Sequence, residues 1–260
     1  MAPSRILVVV TTFNRRQLIE LTSRYLRRIA FDSSRFAFVV SDDCSTEYGL
    51  AFLKSAYSWL PGVTFMKTSR NSGPIVHTWK LLKWFASSEF DKILLLDSDL
   101  IVHERSIQCI DDLEGELIGS LYNSCFHRVA MAHERYCTKV DIGWAGALIH
   151  KSIIEELLSR HGSRPFDDWA LSDLARRRGL TIKVATPSMI EHIGIFGFNN
   201  ATPDHFDHSF DFPTEYIDQP TRDFFAKTHG VDLLRCLGTV PDQDSDLPRL
   251  ALRPAMLRPS

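Results

Sequence analysis

The sequence predicts an α/β protein with a mostly parallel central sheet flanked by helices. Three observations carry that expectation. Short apolar runs alternate with segments of helical spacing over the first hundred residues, the rhythm of repeated βα units. The runs are apolar along their whole length, as strands buried on both faces must be. Each also ends in a cluster of polar residues, where ligands bind in open α/β sheets.

Taken in order, "RILVVVTTFN" is the first strand, and "RRQLIELTSRYLRRIAF" shows helical spacing through Leu18, Leu21, Tyr25 and Ile29. "FAFVVSDDCST" is a second strand ending in carboxylates, followed by a helix in "YGLAFLKSAYSWL". "GVTFMKTS", "GPIVHTWKLLKWFAS" and "KILLLDSD" continue as strand, helix and strand. From residue 120 the rhythm changes. "GWAGALIHKSIIEELLSR" sets a glycine-flanked aromatic before a helix, and "RPFDDWALSDLARRRGLTIKVATPSMIEHIG" gives a second helix and then a strand. Gly179 sits where a glycine past a helix end belongs, with Arg176 to Arg178 against the negative end of the dipole. The segment from Val240 onward carries four prolines and reads as an extended or disordered tail; its "LPRLALRPAMLRPS" has the basic-apolar character of a membrane anchor or docking segment.

Composition narrows the function classes. A net charge of −2 over 260 residues gives no basic excess for a nucleic-acid partner. No run approaches the roughly 20 apolar residues of a membrane span, and the apolar stretch near the start is too short for a secretory signal. Five scattered cysteines without a C-x-x-C pair argue against a disulfide framework or a zinc cluster. The expected setting is cytoplasmic, or peripheral at a membrane if the tail anchors.

The chemistry concentrates at the strand ends. Asp97 and Asp99 place two like charges at the end of a buried strand, an arrangement that a hard cation such as Mn²⁺ or Mg²⁺ would turn from repulsion into attraction. The plain alternative is a turn in which both aspartates accept backbone N–H bonds. Asp42 and Asp43 end the second strand, where a carboxylate commonly meets a ribose or base, although turn formation accounts for them too. No G-x-G-x-x-G or G-K-[ST] occurs, so a Rossmann dinucleotide site and a P-loop are not expected. Arg70 is the nearest basic group for a phosphate, with Asn71 and Gly73 beside it.

These residues together carry a resemblance. "VVVTTFNR", "VVSDDCST", "RNSG" and "LLLDSDL" resemble, in order, the motifs of nucleotide-sugar glycosyltransferases of the GT-A fold, family 2. "GWAGALIHKSII" is similar to the family's glycine-rich acceptor-side segment and "FDDWALSDLARRRG" to its E-D-x-x-L motif, so that the likeness spans about three quarters of the chain. It implies a GT-A fold with a Rossmann-like nucleotide-binding half and an acceptor-binding half. It implies further that Thr11, Phe13 and Asn14 line the base pocket with Asp42 or Asp43, that Asp97 and Asp99 hold the metal against a diphosphate, and that Asp168 is the catalytic base of an inverting enzyme. Thr11-Thr12 stands where many members have proline, and Asp167 replaces the usual glutamate, which leaves open which of the two aspartates is the base.

Residue chemistry adds to this. Asp168 opens a helix, so the positive end of the dipole should keep it ionised at neutral pH and able to accept a hydroxyl proton; capping of the helix is the structural alternative. His192, after the strand, is a reasonable third metal ligand or a half-buried histidine bonded to backbone. His205 and His208 are expected on a surface loop. Trp144, between Gly143 and Gly146, offers an apolar face to a sugar or packs in the core, whereas Trp169 is expected to pack and Trp79 and Trp84 are expected in the core or on a helix face. The expectation is therefore a single domain over 1–240, with a donor half at 1–103 and an acceptor and catalytic half at 104–240, and a tail at 241–260. Its function would be metal-dependent transfer of a sugar from a UDP- or GDP-sugar to a hydroxyl of a glycan, lipid-linked or small-molecule acceptor. A nucleotidyltransferase and a non-catalytic sugar-nucleotide or glycan-binding protein are the rivals.

Overall fold

The structure, a computed structural model, describes residues 3–195 and 206–237. The expected tail at 241–260 and His205 lie outside the described residues. The first half alternates as the sequence predicts: β1 (Ile6–Thr12), α1 (Arg16–Leu26), β2 (Phe36–Asp42), α2 (Leu50–Tyr57), β3 (Thr64–Lys67), α3 (Pro74–Ala86) and β4 (Lys92–Asp97). The chain then runs through β5 (Leu100–Val102), α4 (Ser106–Asp112), β6 (Ile118–Ser120), β7 (Val129–Ala132), β8 (Tyr136–Lys139), β9 (Ala147–His150), α5 (Lys151–His161), α6 (Asp168–Arg178), β10 (Ile182–Ala185) and β11 (Ile190–His192). Two helices follow, α7 (Gln219–His229) and α8 (Leu233–Leu237).

Nine strands form one sheet in the order β3-β2-β1-β4-β9-β6-β10-β8-β7. β3, β2, β1, β4, β6, β10 and β7 run one way, and β9 and β8 run the other. The continuous apolar runs are explained by this placement. Ile6, Val8 and Val10 of β1 enter one core with Leu94 and Leu96 of β4. Leu7 and Val9 enter the opposite core with Ile93 and Leu95. A strand sandwiched between two helical layers has no solvent face, so alternation disappears.

α1 serves two cores. Ile19 and Leu26 face the sheet, while Leu18, Leu21 and Tyr25 join Ile101, Ile193, Phe206, Phe212 and Phe225 in a third cluster. That cluster fixes the segment around β11 and α7 against the N-terminal half. Tyr25 strengthens the junction, its hydroxyl sharing a hydrogen bond with Thr221 at 2.8 Å and accepting from the Asp218 N–H at 3.0 Å.

The structure corrects one expectation about exposure. His208 is buried rather than on a surface loop. Neighbouring Ser209 is bound through its N–H and hydroxyl to Glu191 at 2.9 and 2.7 Å, which draws this stretch inward.

Gly146 illustrates how tightly β9 enters the sheet. It has φ +71°, and a Cβ there would lie 2.9 Å from both Ile190 Cδ1 and Tyr122 Cβ. Its N–H donates to Leu95 O at 2.8 Å and its carbonyl accepts from the Leu121 N–H at 2.9 Å. Gly146→Ala adds both backbone strain and overpacking, each of order 1 kcal/mol or more. The expected outcome is a fall in Tm of roughly 4–8 °C by calorimetry.

Candidate active site

Parallel pairing without a shift is what gathers the site. Thr11 of β1 is opposite Asp97 of β4 and Ser41 of β2, and Thr12 is opposite Asp42. The polar strand ends noted in the sequence are therefore level at one edge of the sheet. Thr11 Oγ1 donates to Asp97 Oδ1 at 2.5 Å. Asp97 is open to solvent, yet the protein crowding its other sides, followed by the charge of Asp99, pushes its pKa up.

Asp99 is the most constrained group. Its side chain is 5% exposed, with Oδ2 held by Arg15 Nη1 at 2.6 Å and facing His192 Nε2 at 3.3 Å. Burial alone would raise its pKa, but the charges of His192 and Arg15 outweigh that and hold the carboxyl well below the usual carboxylate range. Asp99 Oδ1 is buried and has no hydrogen-bond partner.

His192 reaches Asp99 because β11 pairs antiparallel with β5, immediately after the D-S-D motif, with His192 opposite Leu100. The Ile193 N–H closes the pairing on Asp99 O at 2.9 Å. His192 Nδ1 lies 2.6 Å from Asp207 O. A carbonyl only accepts, so Nδ1 carries the proton and Nε2 is turned toward Asp99. Burial lowers the pKa of this imidazole, but Asp99 and then Asp207 more than offset it and raise it to about 9. Gly194 completes the corner: a Cβ there would stand 2.2 Å from Asp99 Oδ2 and 2.7 Å from His192 Nε2.

These residues fit a hard divalent cation. The orphaned Asp99 Oδ1, a second carboxylate two residues away and an imidazole oriented by a backbone carbonyl form the donor set such an ion takes. Among the described residues no group of three or more His, Cys, Asp or Glu side chains is placed to hold a metal ion by itself. An ion here would rely on phosphate and water for its remaining ligands, as Mg²⁺ does.

The second polar group surrounds Asp43. Both its oxygens accept from the Ser72 N–H at 3.0 Å, and Oδ2 accepts from the Gly73 N–H at 2.8 Å. Ser72 Oγ and Thr68 Oγ1 add bonds at 2.9 and 3.1 Å. Asp42 is fully buried, bound by Thr12 Oγ1, the Ser45 N–H and Lys67 Nζ at 3.0, 2.9 and 3.2 Å. Both carboxylates thus hold the loops after β1, β2 and β3 together. Asn14 does likewise, its Oδ1 accepting from the Thr46 N–H at 2.9 Å. Asn14 and Arg15 have φ of 52° and 55°, the turn that aims Arg15 at Asp99. Phe13, Arg70 and Asn71 are exposed at the rim, and Asn71 Oδ1 accepts from the Gly73 N–H at 3.0 Å.

Asp168 opens α6, and Asp167 at its N-cap makes no side-chain capping bond. Asp168 is not held ionised by the helix dipole as expected. Burial, then Asp167, push its pKa up to about 7, with Asp207 adding to the rise. A Cβ on Gly143 would lie 3.4 Å from Asp168 Oδ2 and 3.5 Å from His127 Cε1, so these two side chains border one small space. Trp144 is half-buried at the edge of a core beside Phe166, at 6.4 Å between ring centroids, and Gly146 is buried within the sheet. Trp169, expected to pack, is instead 46% exposed; Trp84 is also largely exposed at 39%.

The structure places His192 beside Asp99 at 3.3 Å; sequence reasoning passed over Arg15, Gly194 and Asp207. Arg15 and Gly194 lay within quoted motifs. Asp207 had no signal, because its part is played by a backbone carbonyl and by tertiary proximity.

Residues 7–110 match the family model of glycosyl transferase family 2. The fold is similar to that of S. aureus TarS 1-349 in complex with UDP-GlcNAc, at TM-score 0.53 and 16% identity, over 72% of this chain and 57% of that one. The same TarS fragment in complex with UDP gives TM-score 0.51 at 16% identity, covering 72% of this chain and 59% of that one. A further structure of S. aureus TarS gives 0.50 at 18% identity, covering 72% and 36%. This chain therefore spans less than two thirds of the length of these structures. No curated protein matches it in sequence. Over residues 7–110 the chain is thus similar to glycosyl transferase family 2, and its fold is similar to that of TarS.

Gly194→Ala tests the packing of the Asp99 corner. The added methyl must separate Asp99 from His192, so the imidazole should lose its raised pKa and titrate nearer its ordinary value. NMR titration of His192 reads this directly, and an unchanged value near 9 would refute the packing argument.

Proposed function

We propose that this protein transfers a sugar from a nucleoside diphosphate sugar to an acceptor hydroxyl with inversion at the anomeric carbon. The observation that carries the reading is Asp99, a buried carboxylate with one oxygen held by Arg15 and His192 and the other without a partner. In this reading residues 1–103 form the donor half and 104–240 the acceptor half. TarS, which shares the fold, is described with UDP-GlcNAc and with UDP, which supports a nucleotide-sugar donor. No helix among the described residues is long and apolar enough to cross a membrane.

Asp97, Asp99 and His192 would hold Mn²⁺ or Mg²⁺, whose positive charge would stabilise the leaving diphosphate. Thr11 fixes Asp97 and the Asp207 carbonyl fixes His192, while Gly194 leaves room for the pair of side chains. Phe13, with Asn14, Asp42 and Asp43 behind it, would form the wall against the nucleoside, and Arg70 and Asn71 would reach it from the rim. Asp168, rather than Asp167, would take the proton of the acceptor hydroxyl as its oxygen bonds to the anomeric carbon and the bond to the diphosphate breaks. A carboxylate lifted to about 7 is a stronger base than an ordinary one, near the optimum for proton transfer at neutral pH.

Two tests follow from these roles. Asp97→Ala/Asp99→Ala should abolish Mn²⁺-dependent binding of UDP or GDP by titration calorimetry; retained binding would remove the metal site. For the base, kcat/KM should rise with pH up to about 7 and level off above it, since the ionised form is the active one. Asp168→Asn should lower kcat by about 10²–10⁴. Stability moves the other way. The folded pKa of Asp168 is raised, so its contribution is favourable below the unfolded value of about 3.9 and is lost as pH rises through about 7. Asp168→Asn should therefore match or exceed the wild-type Tm at pH 8, which separates lost catalysis from lost folding.

A further inference from the structure

The loop after β6 and the stretch before α7 meet in a buried polar network that the proposed mechanism leaves unused. Ser124 and Ser209 pair as an isolated antiparallel bridge. The Cys125 N–H donates to His208 O at 2.8 Å, and the Phe210 N–H donates to Asn123 O at 2.7 Å. Residues 207–210 are thereby strapped to residues 123–125. The strap carries Asp207, whose carbonyl accepts from His192.

Ser124 ties this strap both to the sheet and to Asp207. It is a buried residue, as is Lys139 of β8. The Ser124 carbonyl accepts from Lys139 Nζ at 2.5 Å, which pins its backbone to the nine-stranded sheet. Ser124 Oγ accepts from the Phe126 N–H at 3.1 Å. That bond occupies a lone pair and leaves the hydroxyl proton to be donated elsewhere; it goes to Asp207 Oδ1. A hydroxyl donating to a carboxylate makes a charge-assisted bond, about twice as strong as a neutral one. From Asp207 the path continues through its carbonyl to His192 Nδ1 at 2.6 Å, and from His192 Nε2 to Asp99 Oδ2 at 3.3 Å. The sheet of the second half is thus connected, atom by atom, to the corner at the end of β4.

We propose that Ser124 is a positioning residue for the metal corner: by holding the Asp207 carboxylate it sets the carbonyl that orients the His192 imidazole toward the cation. This deepens the transferase reading and rests on it. A metal-binding imidazole is oriented by the partner of its other nitrogen, and losing such a partner weakens metal binding about 10–100-fold. Without the Ser124 hydroxyl, the Asp207 side chain is released, the peptide that follows it gains freedom, and His192 loses its fixed orientation.

Two readouts on the full chain test this. In the metal-free protein the His192 Nδ1–H, donating to a carbonyl, should give a downfield ring-proton resonance in ¹⁵N-edited NMR, assigned by its loss in His192→Gln. Ser124→Ala should broaden or abolish that resonance, and Ser124→Thr, which keeps the hydroxyl, should restore it. The second readout is calorimetric titration of UDP and GDP across a range of Mn²⁺ concentrations. Ser124→Ala should raise the half-saturating Mn²⁺ concentration about tenfold, with nucleotide still bound at saturating Mn²⁺. Asp207→Ala removes the same link from its other end and should reproduce both effects. The double variant should then be no worse than either single one, because both substitutions break one connection. A merely structural role would lower Tm and leave the resonance and the Mn²⁺ requirement where they are. The proposal is overturned if the wild type lacks the resonance, if both single variants match the wild type in the two readouts, or if their effects add. In each of those cases Mn²⁺-dependent nucleotide binding by the wild type leaves the transferase reading standing; a wild type that binds neither nucleotide with Mn²⁺ overturns both.

Discussion

The register of β1 against its two parallel neighbours is the constraint from which the site follows. Because Thr11 is opposite both Ser41 and Asp97, three strands end level and their polar residues meet at one edge. A slip of one residue would turn core side chains into the wrong layer and scatter those ends. The two cores forbid it, since alternate residues of β1 are claimed by opposite helical layers. The second half is tied to that edge by backbone too. The short pairing of β5 with β11 sets His192 opposite Leu100, carrying an imidazole from a distant part of the chain to the carboxylate that precedes Leu100. The geometry of the site thus rests on main-chain hydrogen bonds, and its side chains need only fill positions already fixed.

The buried carboxylates are treated unequally. Asp42 has Lys67 and hydroxyl and N–H donors, and Asp43 has the N–H groups that open α3. Glu191 is raised to about 8 by burial despite its bonds from Ser209, and those bonds anchor the stretch that carries Asp207. Asp99 is compensated on one oxygen only. Asp168 has the least compensation, and Asp167 beside it adds a like charge. Asp168 is half-buried and meets only N–H groups at the start of its own helix, whereas Asp42 and Asp43 are held by partners from other loops.

This distinction marks where the sequence stops being informative. The three βα steps and the fourth strand were legible because each apolar run is short, continuous and followed by polar residues. β9 was not, because "ALIH" runs directly into α5. The β7–β8 hairpin was not, because its residues are few and half exposed. α7 carried signals that could have been read: Asp218 caps it, Pro220 lies in its first turn and Gly230 ends it in the left-handed region. Within the site, "DSD" and "DD" look alike as text. What separates them is whether partners some 25 to 30 residues away in sequence saturate the oxygens, as Ser72 and Gly73 do for Asp43. The dipole argument for Asp168 used only local sequence, and burial, a tertiary property, overrode it. The same applies to the tryptophans, since helical spacing around Trp169 and glycine spacing around Trp144 do not report which ring is covered.

The two ends of the site are electrically opposite in design, and this bears on how a single displacement could be directed. At Asp99 the negative charge is met by Arg15 and by an imidazole whose pKa is about 9, so this end favours further negative charge once a cation is present, as a departing diphosphate would bring. At Asp168 the like charges of Asp167 and Asp207 add to burial in raising the carboxyl's pKa, so this end favours a proton and disfavours an anion. Asp207 joins the two ends. Its carbonyl orients His192 on one side, and its carboxylate raises Asp168 on the other. A donor that carries negative charge is drawn to the first end, and a neutral hydroxyl to the second. In the proposed transfer, the field across the site would direct the proton toward Asp168 and the developing negative charge toward Asp99.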